Sequence, residues 1–317
     1  MNRFDVFNGD ADGLCALQQL HLAAPHPATL VTGVKRDIRL LERVAAGSGD
    51  RVTVLDISLD SNRAALDVLL ERGARVTWFD HHYAGAIPEH PLLESHIDTA
   101  ADCCTSLLVD AQLGGHHRAW AVVGAFGDNL DASARAAAAP LGLAPVDLGL
   151  LRELGVLINY NSYGETFADL YFPPADLFAR LTPYADPLVF AREDPAVTIL
   201  REGYRADMAA AKAQPLALAT ERHALVMLPA RPWARRVGGV YANALAQAAP
   251  ARAHALLTAL PDGAYQVSVR APLNARDGAD VLCRQFATGG GRRAAAGINR
   301  LPAAEMDRFT AAFVAAF

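Results

Sequence analysis

Short apolar, β-branched runs alternate with segments of helical spacing through the first third of the chain. Arg3 to Phe7 is an apolar run closed by Asn8-Gly9-Asp10-Ala11-Asp12-Gly13, and Leu14 to Ala24 follows with helical character. Ala28 to Val34 predicts a strand, and Ile38 to Ala46 has the spacing of a helix. Arg51 to Ile57 (RVTVLDI) predicts a buried strand. Ala64 to Arg72 predicts a helix stopped by Gly73, and Arg75 to Phe79 (RVTWF) predicts the next strand. Strands alternating with helices imply a parallel sheet covered by helices on both faces.

Residues 103 to 185 read as largely helical, with helices expected over Cys104 to Leu113, Arg118 to Phe126 and Val146 to Ile158. A proline-containing acidic stretch from Pro183 to Pro195 suggests the end of a first domain, and Ala196 to Ala213 a helical connector. The pattern then resets. Ala224 to Leu228, Ala253 to Thr258 and Tyr265 to Arg270 predict strands. Gly239 to Ala248 and Asp280 to Ala287 predict helices, the second leading into Gly289-Gly290-Gly291-Arg292-Arg293-Ala294-Ala295-Ala296-Gly297. The expected fold is therefore α/β: an N-terminal parallel-sheet domain with helices on both faces (1–190), a helical connector (191–215) and a smaller C-terminal α/β domain (216–317).

Three of the strand-like runs end in acidic or histidine residues: Asp10 and Asp12, then Asp56, then Asp80-His81-His82. Open α/β sheets bind ligands beyond the carboxyl ends of their strands, so these residues are expected to converge on one rim, with Asp128 of Gly127-Asp128-Asn129. Each alone has a plainer reading: a turn at Asp10 to Gly13, a helix cap at Asp56, a polar strand exit at Asp80 to His82. Together they would place four carboxylates and an imidazole in one place, where mutual repulsion raises their pKa values unless cations intervene. Oxygen donors with one imidazole suit Mn²⁺ or Mg²⁺. Two such ions, about 3.5–4 Å apart, can activate water and stabilise an in-line phosphoryl transition state.

Composition narrows the partners. The 317 residues are 52% hydrophobic and 20% charged, which describes a globular chain long enough for two domains. The formal net charge of −5 argues against long duplex nucleic acid as a partner, since duplexes are held by broad basic surfaces. No apolar run approaches a membrane span, and the N-terminus does not read as a secretory signal. Cys15, Cys103, Cys104 and Cys283 match no zinc spacing, which fits a reduced, cytoplasmic setting.

These motifs resemble those of the DHH family of phosphoesterases, whose members include single-strand exonucleases, oligoribonucleases, cyclic-dinucleotide phosphodiesterases and phosphoadenosine phosphatases. The family's His-x-Asp-x-Asp-Gly is matched by Asn8 to Gly13, its strand-end aspartate by Asp56 and its name-giving triplet by Asp80-His81-His82. Asp128 is the loosest match. GGGRRAAAG at Gly289 to Gly297 resembles the Gly-Gly-Gly-His-x-x-Ala-Ala-Gly of the accompanying C-terminal domain. The resemblance runs from residue 4 to about residue 300. It implies two divalent ions, Mn²⁺ or Mg²⁺. One would be held by Asp10 and Asp56 near Asn8, the other by Asp12, Asp56, His81 and Asp128. Asp80 and His82 would orient neighbours, touch the substrate phosphate or serve in catalysis. It also implies a small nucleotide or short oligonucleotide as substrate and, as often in the family, a homodimer.

Two departures stand out. Asn8 replaces a histidine ligand, so a weaker first metal is expected, and Arg292 replaces the histidine of the glycine-rich loop. The loop itself reads as an anion site, with Gly289, Gly290 and Gly291 exposing backbone N–H groups and a helix expected after them. Arg292 clamps phosphate in this reading, and Arg270 is a candidate for the same pocket. Lys35 and Arg36 follow the end of the second strand and could reach a phosphate, but read first as a solvated charge pair. Arg231, Arg235 and Arg236 around Trp233 could form a nucleotide-stacking surface but read first as an exposed loop, and His21, His26, His116 and His117 read as structural or exposed. The alternative function is a nucleotide sensor with little turnover.

Overall fold

The computed structural model describes residues 1–317. The chain runs β1 (Arg3–Asn8), α1 (Ala11–Ala23), β2 (Thr29–Gly33), β3 (Arg51–Leu55), α2 (Arg63–Glu71), β4 (Arg75–Asp80) and β5 (Leu93–Ile97). A helical stretch follows: α3 (Thr105–Gln112), α4 (Arg118–Gly127), α5 (Asp131–Ala138), α6 (Pro145–Ser162), α7 (Pro174–Leu181), α8 (Pro187–Glu193) and α9 (Pro195–Lys212). The rest is β6 (Leu216–Ala219), β7 (His223–Leu228), α10 (Pro232–Ala248), β8 (Ala253–Ala259), β9 (Tyr265–Arg270), α11 (Ala279–Cys283), β10 (Gly289–Gly291), β11 (Ala295–Leu301) and α12 (Met306–Ala316). The chain divides into two compact units at Arg201/Glu202, within α9.

The first unit is built on a five-stranded sheet of order β2-β1-β3-β4-β5 with every pairing parallel. The alternation along RVTVL and RVTWF sends Val52, Val54, Val76 and Trp78 to one face. There they pack with Val6 and with Leu66, Leu69 and Leu70 of α2. Phe7 points to the other face, its ring 6.0 Å from that of Phe178 on α7. The α/β class and the helix-covered parallel sheet are as expected. In this strand order the chain reverses direction across the sheet between β1 and β3, which is where such sheets bind ligands.

The second unit holds a mixed six-stranded sheet of order β10-β11-β9-β8-β7-β6, parallel only between β7 and β8. Its core joins Leu257, Val267, Val269 and Ile298 to Phe286, Phe309 and Phe313.

Four expectations are corrected. Residues 38–46 form only a single 3-10 turn, Leu40–Arg43. The Asn62 side chain accepts from Leu41 N–H and donates to the Ile38 carbonyl, so backbone groups a helix would use are bonded elsewhere. The Arg235 and Arg236 side chains are not on a loop: they lie buried on α10, and Arg236 pairs with Asp207 at 2.8 Å. The helix expected from Asp280 stops at Cys283. Finally, no helix follows the three glycines. Gly289–Gly291 pairs antiparallel with Ala296, Gly297 and Ile298, and the alanine-rich run is a strand held on its other side by β9. A side chain at Gly289 would sit 1.7 Å from the Cys283 carbonyl, so close packing against α11 requires glycine there. β5, unread in the sequence, is a half-exposed edge strand of mixed polarity.

Candidate metal centre

The Asp10 to Gly13 segment turns directly from β1 into α1. Asp10 caps that helix, accepting from the N–H groups of Asp12 and Gly13 at 3.1 and 3.2 Å. A Cβ on Gly13 would lie 2.2 Å from the Asn8 carbonyl, so the sharp turn admits only glycine. Asp56 follows β3 with φ of +60°, a left-handed conformation strained for a residue with a side chain. Its N–H is held by the Phe79 carbonyl at 3.0 Å. Asp80 ends β4, His81 and His82 follow it, and Asp128 terminates α4.

Asp10, Asp12, Asp56, His81 and Asp128 meet at the carboxyl edge of the sheet. His81 Nε2 is 3.3 Å from Asp128, 3.5 Å from Asp56 and 4.0 Å from Asp12. The opposite ring nitrogen, Nδ1, donates to the Cys103 carbonyl at 3.0 Å, leaving the Nε2 lone pair for the cluster. Donor atoms of Asp12, His81 and Asp128 lie within 4.8 Å of one another, as do those of Asp56, His81 and His82. His82 donates to Asp80 at 2.7 Å. Asp80 is fully buried and touches the cluster only through that imidazole, and its second oxygen has no partner.

Three neighbours, Thr105, Ser106 and Lys35, take roles not read from the sequence. Asp12 accepts from Thr105 N–H at 2.7 Å, Ser106 N–H at 2.8 Å and the Ser106 hydroxyl at 2.5 Å. These are free N–H groups of the first turn of α3, and Thr105 also donates to Asp56 at 3.2 Å. The Thr-Ser pair opening a helix was the available signal, but Asp12 is more than ninety residues away. The other correction is Lys35, which is not a solvated charge. Its ammonium pairs with Asp10, donates to Asn159 at 3.0 Å and lies 3.5 Å from Asp128.

The electrostatics follow from burial. Asp56 is pushed well above the usual carboxylate range by burial, then by the charges of Asp10, Asp12 and Asp128. Burial also raises Asp128, partly offset by Lys35. Burial opposes the charge of Asp10 too, but Lys35 and hydrogen bonds override it and hold Asp10 at about 2. Lys35 is raised in turn: burial opposes its charge, and Asp10 outweighs that. Burial disfavours a charged His82, yet its hydrogen bond to Asp80 and the nearby carboxylates raise it above the ordinary imidazole value.

The donor set fits divalent ions. It is mostly carboxylate oxygen with one oriented imidazole. The Asn8 side-chain oxygen is buried with no partner, its amide donating to the Lys35 carbonyl at 3.3 Å.

The substrate-side candidates lie in the second unit. Gly289, Gly290 and Gly291 form β10, and exposed Arg292 starts the tight turn into β11. Arg270 pairs in register with Ala295 and donates to Asn243 at 2.7 Å. The histidines divide: His116 is exposed, whereas His21 and His26 are gathered by a buried carboxylate, Asp5, at 2.7 and 3.5 Å. His21 and Asp5 are sixteen residues apart, outside any local ligand spacing.

No protein-family model and no curated protein matches the sequence. Solved structures do. The exonuclease RecJ bound to manganese shares 22% identity at a TM-score of 0.56, over 99% of this chain and 89% of that one. RecJ from Thermus thermophilus in complex with Mn²⁺ gives 22% and 0.60, over 99% of this chain and 51% of that one. The chain has the RecJ fold. It spans about half the length of the Thermus RecJ. The same fold is shared with the pGpG-specific phosphodiesterase PggH from Vibrio cholerae, at 15% identity and a TM-score of 0.56, with both chains fully covered. No helix of this RecJ-fold chain is long and apolar enough to cross a membrane.

The raised Asp56 sets a pH dependence. Its folded-state pKa lies above the ordinary 3.8, so the folded metal-free protein holds a proton that the unfolded chain releases. Stability therefore falls as pH rises from about 3.8 through the raised value. Calorimetry of metal-free protein between about pH 5 and 9 should show the melting temperature of wild type falling relative to that of Asp56→Asn. Parallel pH profiles would refute this.

Proposed function

We propose that the chain is a divalent-metal-dependent phosphoesterase of the DHH type that hydrolyses short oligonucleotides or linear or cyclic dinucleotides. The observation that carries the reading is the meeting of Asp12, Asp56 and Asp128 around the Nε2 of His81. Buried carboxylates in such numbers are stabilised by cations. The RecJ fold, found in two structures with manganese bound and shared with a pGpG-specific phosphodiesterase, supports the same reading.

In this proposal Asp12, Asp56, His81 and Asp128 hold one ion, and Asn8, Asp10 and Asp56 receive a second. Mn²⁺ is the preferred metal and Mg²⁺ the alternative. Bound ions supply a water of lowered pKa and charge stabilisation for the phosphoryl group. The protein's own groups set the geometry. Thr105 and Ser106 fix both oxygens of Asp12, and the Cys103 carbonyl fixes the His81 tautomer. His82, whose imidazolium form is favoured by its hydrogen bond to Asp80 against the opposing effect of burial, is placed to neutralise a phosphoryl oxygen or to give its proton to the leaving oxygen. Asp80 is thus a positioning residue. Gly289 to Gly291, Arg292 and Arg270 are proposed to bind the remainder of the nucleotide.

The ammonium of Lys35 against Asp10 supports unequal metal sites. Lys35 already supplies positive charge where the second ion would enter, and Asn8 offers only a neutral oxygen. Asp12, Asp56, His81 and Asp128 would therefore hold the tighter ion, and Asn8, Asp10 and Asp56 a weaker one favoured by the charge of a substrate phosphate.

The deciding experiment is hydrolysis of linear dinucleotides, cyclic dinucleotides, longer single strands and phosphoadenosine phosphate with Mn²⁺ or Mg²⁺. Turnover of one class is expected, with Asp56→Ala reducing it on the order of 1,000-fold or more. Tight binding of one of them with no turnover would instead make the protein a nucleotide sensor. Equilibrium dialysis without substrate should find one tightly held Mn²⁺ per wild-type chain and two in Lys35→Ala. Two tight ions in wild type would contradict the role given to Lys35.

A further inference from the structure

Strands β1, β3 and β4 each begin with an arginine, and the register sets these side by side: Arg3 pairs with Arg51, and Arg51 with Arg75. Neighbouring strands lie about 4.8 Å apart, so the row spans roughly 10 Å. Like charges directly opposite on adjacent strands destabilise a sheet, and here three occur in succession. Side chains alternate along a strand, which puts Thr53 and Thr77 on the same face as the arginines. With His26 and Glu94, these residues line a cavity of about 340 Å³.

The row has no counter-ion. None of the three guanidinium groups makes a hydrogen bond or ion pair. The nearby carboxylates are engaged elsewhere. Asp5, in register with Thr53, accepts from His21 at 2.7 Å. Asp50 accepts from the backbone N–H groups of Asn2 and Gly47 at 2.6 and 3.1 Å, and Glu94 pairs with His96 at 2.9 Å. In a chain of net charge −5, three unmatched cations at one cavity are a local reversal of sign.

Guanidinium forks, threonine hydroxyls and an imidazole are the donors that phosphate oxygens take. A row this long exceeds a single phosphate. The cavity volume is that of a small-molecule site, which favours a compact ligand over a nucleic-acid strand. The site is also separate from the metal centre. It lies at the amino ends of the strands, and the five residue steps of β1 from Arg3 to Asn8 cover about 17 Å.

We propose that this cavity is a second, non-catalytic site for a compact ligand carrying two or more phosphate groups, pyrophosphate or a nucleoside polyphosphate, held by Arg3, Arg51 and Arg75.

The test is calorimetric titration of pyrophosphate into the full chain at low salt with EDTA present, so that the carboxylate-rich metal centre repels anions. Saturable one-to-one binding is expected, with a rise in melting temperature as ligand is added. Arg51→Gln and Arg75→Gln should each weaken binding about tenfold or more. Arg72→Gln, at an exposed arginine at the end of α2 outside the cavity, should leave it unchanged. No saturable binding, or equal weakening by Arg72→Gln, would overturn the proposal. So would binding of single-stranded oligonucleotides that pyrophosphate does not displace.

Discussion

Repulsion among four buried carboxylates is the constraint on which the rest of the first unit turns. Asp10, Asp12, Asp56 and Asp128 are gathered from three separate segments, the start of α1, the end of β3 and the end of α4, and water is largely excluded from them. The fold compensates each differently. Asp12 is bound by the amino end of α3 and Asp10 by Lys35. Asp128 is tempered by Lys35, whereas Asp56 has no adjacent lysine or arginine and is driven toward its protonated form. The strained backbone at Asp56 points the same way: the structure maintains an unfavourable arrangement there, as ligand-binding sites commonly do.

The unevenness of this compensation explains the unequal roles proposed for the two metal positions. Where Lys35 and the neutral Asn8 sit, the protein has partly supplied its own cation. Around His81 it has not, and the free Nε2 faces carboxylates on three sides. A divalent ion held there would favour the ionised form of Asp56 and relieve the repulsion. Binding should therefore strengthen as pH rises.

The sheet and the cluster of acidic strand ends were legible in the sequence because both depend on local pattern. RVTVLDI and RVTWF announce buried strands, and an aspartate after each announces a rim. What could not be read depends on contacts between distant segments. Thr105 and Ser106 meet Asp12 across more than ninety residues, and Asn62 dismantles the helix expected at residues 38–46. The glycine-rich segment misled because alanine favours helix in isolation, whereas pairing with β9 makes it a strand. Arginines opening β1, β3 and β4 form a row only once the register is known.

The central claim is that the carboxylate cluster at the strand ends is a metal centre. The most direct test is an anomalous difference map from crystals grown with Mn²⁺. A strong peak bounded by Asp12, Asp56, His81 and Asp128 is the expected result. No peak there, or manganese found only at Asp5, His21 and His26, would contradict it.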